Sequence, residues 1–316
     1  MLVNDASPVA QILINRVRRG ALSMASSDYS GERSQFEALD HGATGFSLDL
    51  PPGMFRTGDQ AESVILTMAK RVIGSVNREA KFTVVDDLAL FEGDIVLGSA
   101  EEVRNPPGDR GLGIIGEQFR WPDGIVAFIA GEEVRARVEA AIDHWEQRTP
   151  FRFVQRTDQA DSISFKALGG CFSRVGRQGG EQVISLAAGC SVGSAIHEIG
   201  HALGLWHEQS RSDRDEFIEI IFENIAPQHR HNFDKHILDG DDLGPYDFGS
   251  IMHYPATAFS VSGQPTIRVK GGQSIGQRNG LSEGDIAAIR LMYPELEWER
   301  PGRSTSDPAR VEQGPG

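Results

Sequence analysis

The 316-residue chain has a formal net charge of −14, with 31 lysines and arginines against 45 aspartates and glutamates. Such a chain is not expected to bind nucleic acid, because phosphate recognition needs a basic surface. Its hydrophobic fraction of 39% is that of a globular protein, and no apolar run in it approaches the roughly 20 residues of a membrane span.

The N-terminal 80 residues show helical periodicity but no chemical motif. Val64, Ile65, Met68 and Val72 recur at helical spacing, which predicts a packed helix. The first residues do not match a secretory signal peptide, since Asp5 precedes their short apolar segment and the basic cluster follows it. Beyond residue 81 the pattern predicts short extended pieces.

A polar run rich in proline and glycine, residues 105–113, predicts an exposed linker. We therefore place a domain boundary near Arg110, which separates an N-terminal region of residues 1–110 from a domain of residues 111–298. Residues 299–316 contain few large apolar side chains and are expected to be a disordered tail.

The region after Trp121 has the pattern of a compact α+β domain. Predicted strands cover residues 124–130, 151–154, 162–165 and 182–186, and residues 216–222 form a further strand or short extended piece. Predicted helices cover residues 132–148 and 192–203, and a capping box of Ser282 and Asp285 opens a last helix that runs to Tyr293.

The central motif is HEIGHALGLWH, residues 197–207. On a helix His197 and His201 project from one face at a spacing that can hold one Zn²⁺. Gly204 can adopt the left-handed conformation that ends a helix, so that His207 turns back as a third ligand. Three protein ligands leave one position open for an activated water, as in a catalytic zinc site. The alternative is an amphipathic helix whose histidines are ordinary core or surface groups.

Cys171 and Cys190 bracket a glycine-rich segment just before this helix. A disulfide between them would close a loop of about 19 residues and contribute about 3 kcal/mol in the chain-entropy model. It would also imply an oxidising compartment. Two buried free thiols are the alternative.

Three segments resemble the astacin family of zinc metalloendopeptidases, which carries the metzincin signature H-E-x-x-H-x-x-G-x-x-H. Residues 197–215 resemble the family's extended zinc motif. Residues 250–254, SIMHY, resemble its Met-turn and metal-proximal tyrosine, and residues 170–190 resemble its cysteine-bracketed segment. The resemblance covers roughly residues 114–293. It implies a metzincin-like α+β catalytic domain, with a mixed sheet and an active-site helix, preceded by a propeptide region.

The resemblance implies that His197, His201 and His207 bind one Zn²⁺ and that Glu198 is the general base. Tyr254 would be a further ligand that swings away to stabilise the oxyanion. The resemblance implies roles for three further residues. Met252 would form an apolar floor under the histidines, and Glu208 would pair with the ammonium group freed by maturation. Arg278 would favour an acidic residue after the scissile bond. His253 is expected to be structural, not a ligand.

Residues 91–94, FEGD, are similar to the F-x-G-D element of astacin propeptides. Asp94 would then occupy the open zinc position as a latch, because a carboxylate oxygen is a competent zinc ligand. Two features depart from the family: the second disulfide that many astacins have cannot form here, and a signal peptide is not recognisable.

The sequence therefore predicts a latent zinc metalloendopeptidase that acts on protein or peptide substrates. It is expected to be a monomer and, from its disulfide, secreted or extracytoplasmic. A catalytically silent peptide-binding protein on the same fold is the main alternative, and a structural zinc protein is a third.

Overall fold

The computed structural model describes residues 14–15, 61–70, 74–104, 117–235 and 242–298; side chains are described for Glu62 and, within those ranges, from residue 81 onward. The predicted linker, the boundary near Arg110, Val72 and the tail lie outside the described residues. In the described part of the chain, no helix has the length and apolar character that a membrane crossing requires.

The N-terminal sheet is antiparallel, with its five strands in chain order: β1 (Ile14–Asn15), β2 (Ala61–Lys70), β3 (Gly74–Val85), β4 (Leu88–Phe91) and β5 (Ile95–Ser99). A short helix, α1 (Ala100–Arg104), follows. The extended pieces predicted after residue 81 are confirmed.

The helix predicted from Val64, Ile65 and Met68 is wrong, because these residues lie in β2. The spacing of apolar residues in so short a segment fits both the helical and the strand period, and pairing with a neighbouring strand decides between the two. Here β2 pairs with β3 along all ten of its residues, and β-branched residues in both strands favour that extended state.

The second sheet is mixed, as expected. Its strands are β6 (Ile125–Ala130), β7 (Arg152–Gln155), β8 (Ser162–Lys166), β9 (Cys171–Phe172) and β10 (Glu181–Leu186), in the order β7-β6-β8-β10-β9. The pairs among β6, β7, β8 and β10 are parallel, whereas β9 pairs antiparallel with β10. All four strands predicted here are confirmed to within two residues at each end.

Three helices pack with this sheet: α2 (Arg135–Arg148), α3 (Val192–Leu203) and α4 (Glu283–Met292). The bounds predicted for α3 and the capping box of α4 are confirmed. α2 begins three residues later than predicted, because Val134 N–H donates to the carbonyl of Gly131 and closes a turn there. The strand predicted at 216–222 is shorter, β11 (Ile218–Ile220), and it pairs with β12 (Ile267–Val269).

The helix α3 lies in the main core. Three aromatic side chains donate hydrogen bonds to its backbone carbonyls: Trp145 to Ile196 (3.1 Å), Trp121 to Ala202 (2.9 Å) and Tyr293 to Leu203 (2.9 Å). Buried polar groups of aromatic residues need such partners. These bonds therefore fix both the depth and the axial position of the helix.

Both ends of α3 are closed by local chemistry. Ser191 and Ser194 form a capping box at its start, and Gly204, with φ 113°, ends it in the left-handed conformation. The predicted role of Gly204 is thus confirmed. A disulfide between Cys171 and Cys190, with Cα atoms 6.0 Å apart, ties β9 to the residue before the helix; the alternative of free thiols is excluded.

The two sheets meet at Ser173, just after β9. Its N–H donates to the carbonyl of Asp94, and its carbonyl accepts the N–H of Val96. Apolar side chains of the N-terminal sheet, including Phe91, pack there against Val175 and Trp206. The turn between β4 and β5 is therefore held against the C-terminal end of α3.

Candidate active site

Three imidazoles converge at the end of α3. His197 and His201 lie one helical turn apart, and His207 returns to them after Gly204. Each donates its Nδ1–H to a buried oxygen: His197 to Ile251 O (2.9 Å), His201 to Leu205 O (2.8 Å) and His207 to Glu92 Oε2 (2.7 Å). Oxygen acceptors at Nδ1 fix the tautomer of each neutral ring, and every Nε2 faces the common centre.

The carboxylate of Asp94 completes this cluster. Its Oδ2 lies 3.4 Å from His197 Nε2 and 3.3 Å from His207 Nε2, and its Oδ1 lies 3.9 Å from His201 Nε2. The four potential ligand atoms are all within 4.8 Å of one another.

Several polar atoms of this cluster are buried and have no hydrogen-bond partner among the described residues: Nε2 of His197, Nε2 of His201 and Oδ1 of Asp94. Buried polar atoms are normally satisfied. Three imidazole nitrogens and one carboxylate oxygen match the donors and the coordination number that Zn²⁺ prefers. The residues present therefore fit a zinc ion.

Burial and neighbouring charges have opposite effects on the pKa values of Asp94 and His207. Burial alone would raise the pKa of Asp94, but the surrounding histidines hold it well below its usual range. Burial would lower the pKa of His207, but Asp94 and Glu92 raise it to about 9. For His197, burial and the nearby Arg278 lower the pKa to about 4.

Glu198 lies beside the cluster without joining it. Its Oε2 is buried and has no hydrogen-bond partner among the described residues. Burial, together with the negative charge of Asp94, raises the pKa of Glu198 well above its ordinary value. A carboxylate in such a setting has a high proton affinity, as a general base requires.

Tyr254 also borders the cluster. Its ring centroid is 4.6 Å from that of His207, and its hydroxyl donates a short hydrogen bond to the backbone carbonyl of Glu92. Burial, followed by the charges of Asp94 and Glu92, raises the pKa of Tyr254, so the phenol stays protonated and can donate.

Met252 packs against α3 at Gly200. It is buried, and a Cβ placed on Gly200 of α3 would lie 2.9 Å from its sulfur. His253 points away and bonds through Nε2 to the hydroxyl of Tyr246 at 2.7 Å. The prediction that His253 is structural is therefore consistent with its contacts.

Arg278 lies behind Glu198. Its Nη1 donates to the carbonyls of Ile251 (2.7 Å) and His253 (3.1 Å), while its Nη2 has no partner among the described residues. The backbone approaches α3 closely, because a Cβ on Gly193 would lie 1.8 Å from the carbonyl oxygen of Arg278. Nη1 is thus bonded to backbone carbonyls, whereas Nη2 is buried without a hydrogen-bond partner among the described residues.

Glu208 follows the third histidine and is mostly buried. It accepts a hydrogen bond from Asp247 N–H at 2.7 Å, and Arg211 Nε lies 3.6 Å away. Burial raises the pKa of Glu208 to about 8, despite these contacts. The carboxylate is therefore incompletely compensated in this form of the chain.

Sequence reasoning missed other residues of the site. Glu92 enters the sequence prediction only as part of the FEGD element, yet it contacts both His207 and Ser210; its acidity beside Asp94 was the available signal. Asp285 was predicted as a helix cap, and it also holds the Met-turn through Ser250 Oγ and Ile251 N–H.

The metzincin class of zinc-peptidase folds is defined by a helix with two histidines on one face, a third histidine beyond a left-handed glycine, and a methionine below the histidines. The family model described as Astacin, a peptidase family, matches residues 114–294. The chain belongs to the astacin family.

Individual relatives agree with this assignment. High choriolytic enzyme 1 of Oryzias latipes is 45% identical over 170 residues, which are 52% of this chain and 62% of the relative. Zinc metalloproteinase nas-13 of Caenorhabditis elegans is 36% identical over 259 residues, which are 74% of this chain and 57% of the relative. The chain thus spans about three fifths of the length of these two relatives.

A solved structure of the same Oryzias latipes protein, a hatching enzyme zinc-protease, is also similar. The comparison gives a TM-score of 0.52 at 40% sequence identity and covers 55% of this chain and 92% of that one. The fold class predicted from the sequence, α+β and metzincin-like, is therefore confirmed.

Proposed function

We propose that this protein is a zinc metalloendopeptidase, made as a latent precursor, with His197, His201 and His207 as the zinc ligands. The main support for the proposal is that three Nε2 atoms converge beside Glu198, whose buried Oε2 has no hydrogen-bond partner among the described residues. A bound Zn²⁺ would supply a Lewis acid that polarises the scissile carbonyl and makes water a competent nucleophile near neutral pH.

Glu198 acts as the proton carrier of this reaction. Its carboxylate takes a proton from the attacking water and later delivers it to the nitrogen of the leaving amine. The poorly solvated position of Glu198 supports the first step, because a buried carboxylate is more basic than a solvated one. Burial supports the second, since the proton is not lost to bulk solvent.

Tyr254 stabilises the negative charge that develops on the carbonyl oxygen. Its hydroxyl is protonated and buried at the cluster, and it is engaged by Glu92 in this form of the chain. Once that partner leaves, the same hydroxyl can donate to the oxyanion.

We expect Tyr254→Phe in the processed enzyme to lower kcat by about 10²–10³ with little change in KM, because the lost donor acts mainly in the transition state. Steady-state kinetics on a fluorogenic peptide would measure the effect. Tyr246→Phe is the matched control, since that hydroxyl bonds to His253. Equal kcat values for the two variants would contradict the assignment.

Residues 1–110 are proposed as the propeptide and residues 111–298 as the peptidase domain. Asp94 serves as the latch, since its carboxylate lies among the three Nε2 atoms and takes the position that substrate and water need. Cleavage between Asp109 and Ile114 would free a new ammonium group. Glu208 is the proposed partner of this ammonium group. The charge of the buried Glu208 carboxylate is only partly balanced by its present contacts, which supports the pairing.

Protein or peptide substrates follow from the family. We extend the proposal to a preference for an acidic residue after the scissile bond, because Nη2 of Arg278 is without a partner among the described residues and can pair with a carboxylate. The disulfide supports secretion or another extracytoplasmic location.

The decisive experiment measures cleavage of a denatured protein by a chain trimmed to begin near Gly111, with and without o-phenanthroline. Cleavage that the chelator stops and Zn²⁺ restores is the expected result. A trimmed chain that binds peptides but never cleaves them would instead favour the catalytically silent alternative.

A further inference from the structure

Glu92 is a fully buried carboxylate of the N-terminal sheet, and both of its oxygens contact the peptidase domain. Oε2 accepts the Nδ1–H of His207 at 2.7 Å, and Oε1 accepts the hydroxyl of Ser210 at 2.7 Å. All three residues are at most 1% exposed. Such short bonds between buried charged and polar groups have a defined geometry and are not screened by solvent.

The backbone around Glu92 is arranged for these contacts. Glu92 has φ 50° and Gly93 has φ 82°, so two consecutive left-handed residues turn the chain between β4 and β5. A left-handed conformation is sparsely populated for glutamate and persists when surrounding contacts retain it. The turn delivers Asp94 to the Nε2 atoms and Glu92 to the far side of His207.

His207 differs from the other two histidines in the origin of its partner. His197 and His201 donate to neutral backbone carbonyls of the peptidase domain. His207 donates to a carboxylate that lies 115 positions earlier in the chain. A carboxylate at Nδ1 orients the ring and makes Nε2 a more basic metal ligand than a carbonyl does.

We propose that Glu92 is a positioning residue for the zinc site of the precursor, which tightens zinc binding through His207 independently of the direct ligand Asp94. The inference rests on the proposed function, because it takes His207 as a zinc ligand. Removal of the propeptide would then remove two zinc-supporting groups, one that touches the ion and one that acts through an imidazole.

The test measures the zinc affinity of the full-length chain by competition with a chromophoric chelator. Glu92→Gln keeps the shape of the side chain and removes its charge, and it is expected to weaken zinc binding about 10–100-fold, as for other partners of metal-bound histidines. Glu101→Gln, an exposed glutamate of the same propeptide, is the matched control and should match the parent. Ser210→Ala, which leaves the propeptide sequence intact, should weaken binding by a smaller factor.

Proton NMR of the zinc-loaded chain separates positioning from general structural damage. The Nδ1–H resonance of His207 should move in Glu92→Gln, while those of His197 and His201 stay in place. Unchanged zinc affinity in both Glu92→Gln and Ser210→Ala, or movement of all three resonances together, would overturn the inference. A parent chain that binds no zinc would instead overturn the proposed function itself.

Discussion

Replacement of Glu198 by glutamine is expected to lower kcat/KM of the processed enzyme by about 10²–10⁴, the range that general acid–base catalysis contributes. Glutamine keeps the size of the side chain but cannot accept and return a proton. Its neutral amide also suits the buried position, where burial disfavours a charge. The protein should therefore fold and bind zinc while hydrolysis fails.

Hydrolysis of a fluorogenic peptide, normalised to measured zinc content, would check this result. Glu139→Gln on the exposed face of α2 is the matched control, and it should retain the parent's activity. If Glu198→Gln kept activity within about tenfold of the parent at equal zinc content, another group would have to move the proton and the proposed mechanism would fail.

The parts of the site that follow from local sequence could be predicted. Helix α3 and its histidines occupy residues 192–207, where spacing, the glycine and the third histidine are all encoded within a few turns. Four of the five strands of the second sheet, all except β9, were also predicted, because each is a short apolar run between clear turn signals.

The remaining features depend on contacts between distant residues. The strand β2 was predicted as a helix, since its apolar spacing fits both periods and only pairing with β3 distinguishes them. The role of Glu92 could not be assigned from spacing, because it depends on a turn that meets His207 across 115 positions. Local signals locate the ligands, whereas the groups that orient them come from elsewhere in the fold.

Asp94→Ala is expected to give the full-length, uncleaved chain measurable peptidase activity, about 10²-fold or more above the unprocessed parent. The latch carboxylate is stabilised by all three histidines, which hold its pKa far below the usual range. Without the contact between Asp94 and the histidines, the state in which the propeptide occupies the cleft loses the interaction that competes directly with substrate. A shift of the open fraction from about 0.5% to about 50% corresponds to the stated factor.

The activation should nevertheless remain below that of the processed enzyme. Asp94→Ala leaves the backbone pairing with Ser173 and the packing of Phe91 on Trp206, so the segment still occupies the cleft part of the time. Peptide hydrolysis by Asp94→Ala, Glu101→Ala and the parent, each shown to be uncleaved by mass spectrometry, would measure both effects. If Asp94→Ala were as inactive as the parent while its trimmed form hydrolysed peptide, packing and backbone pairing would suffice for latency. Asp94 would then not be the latch.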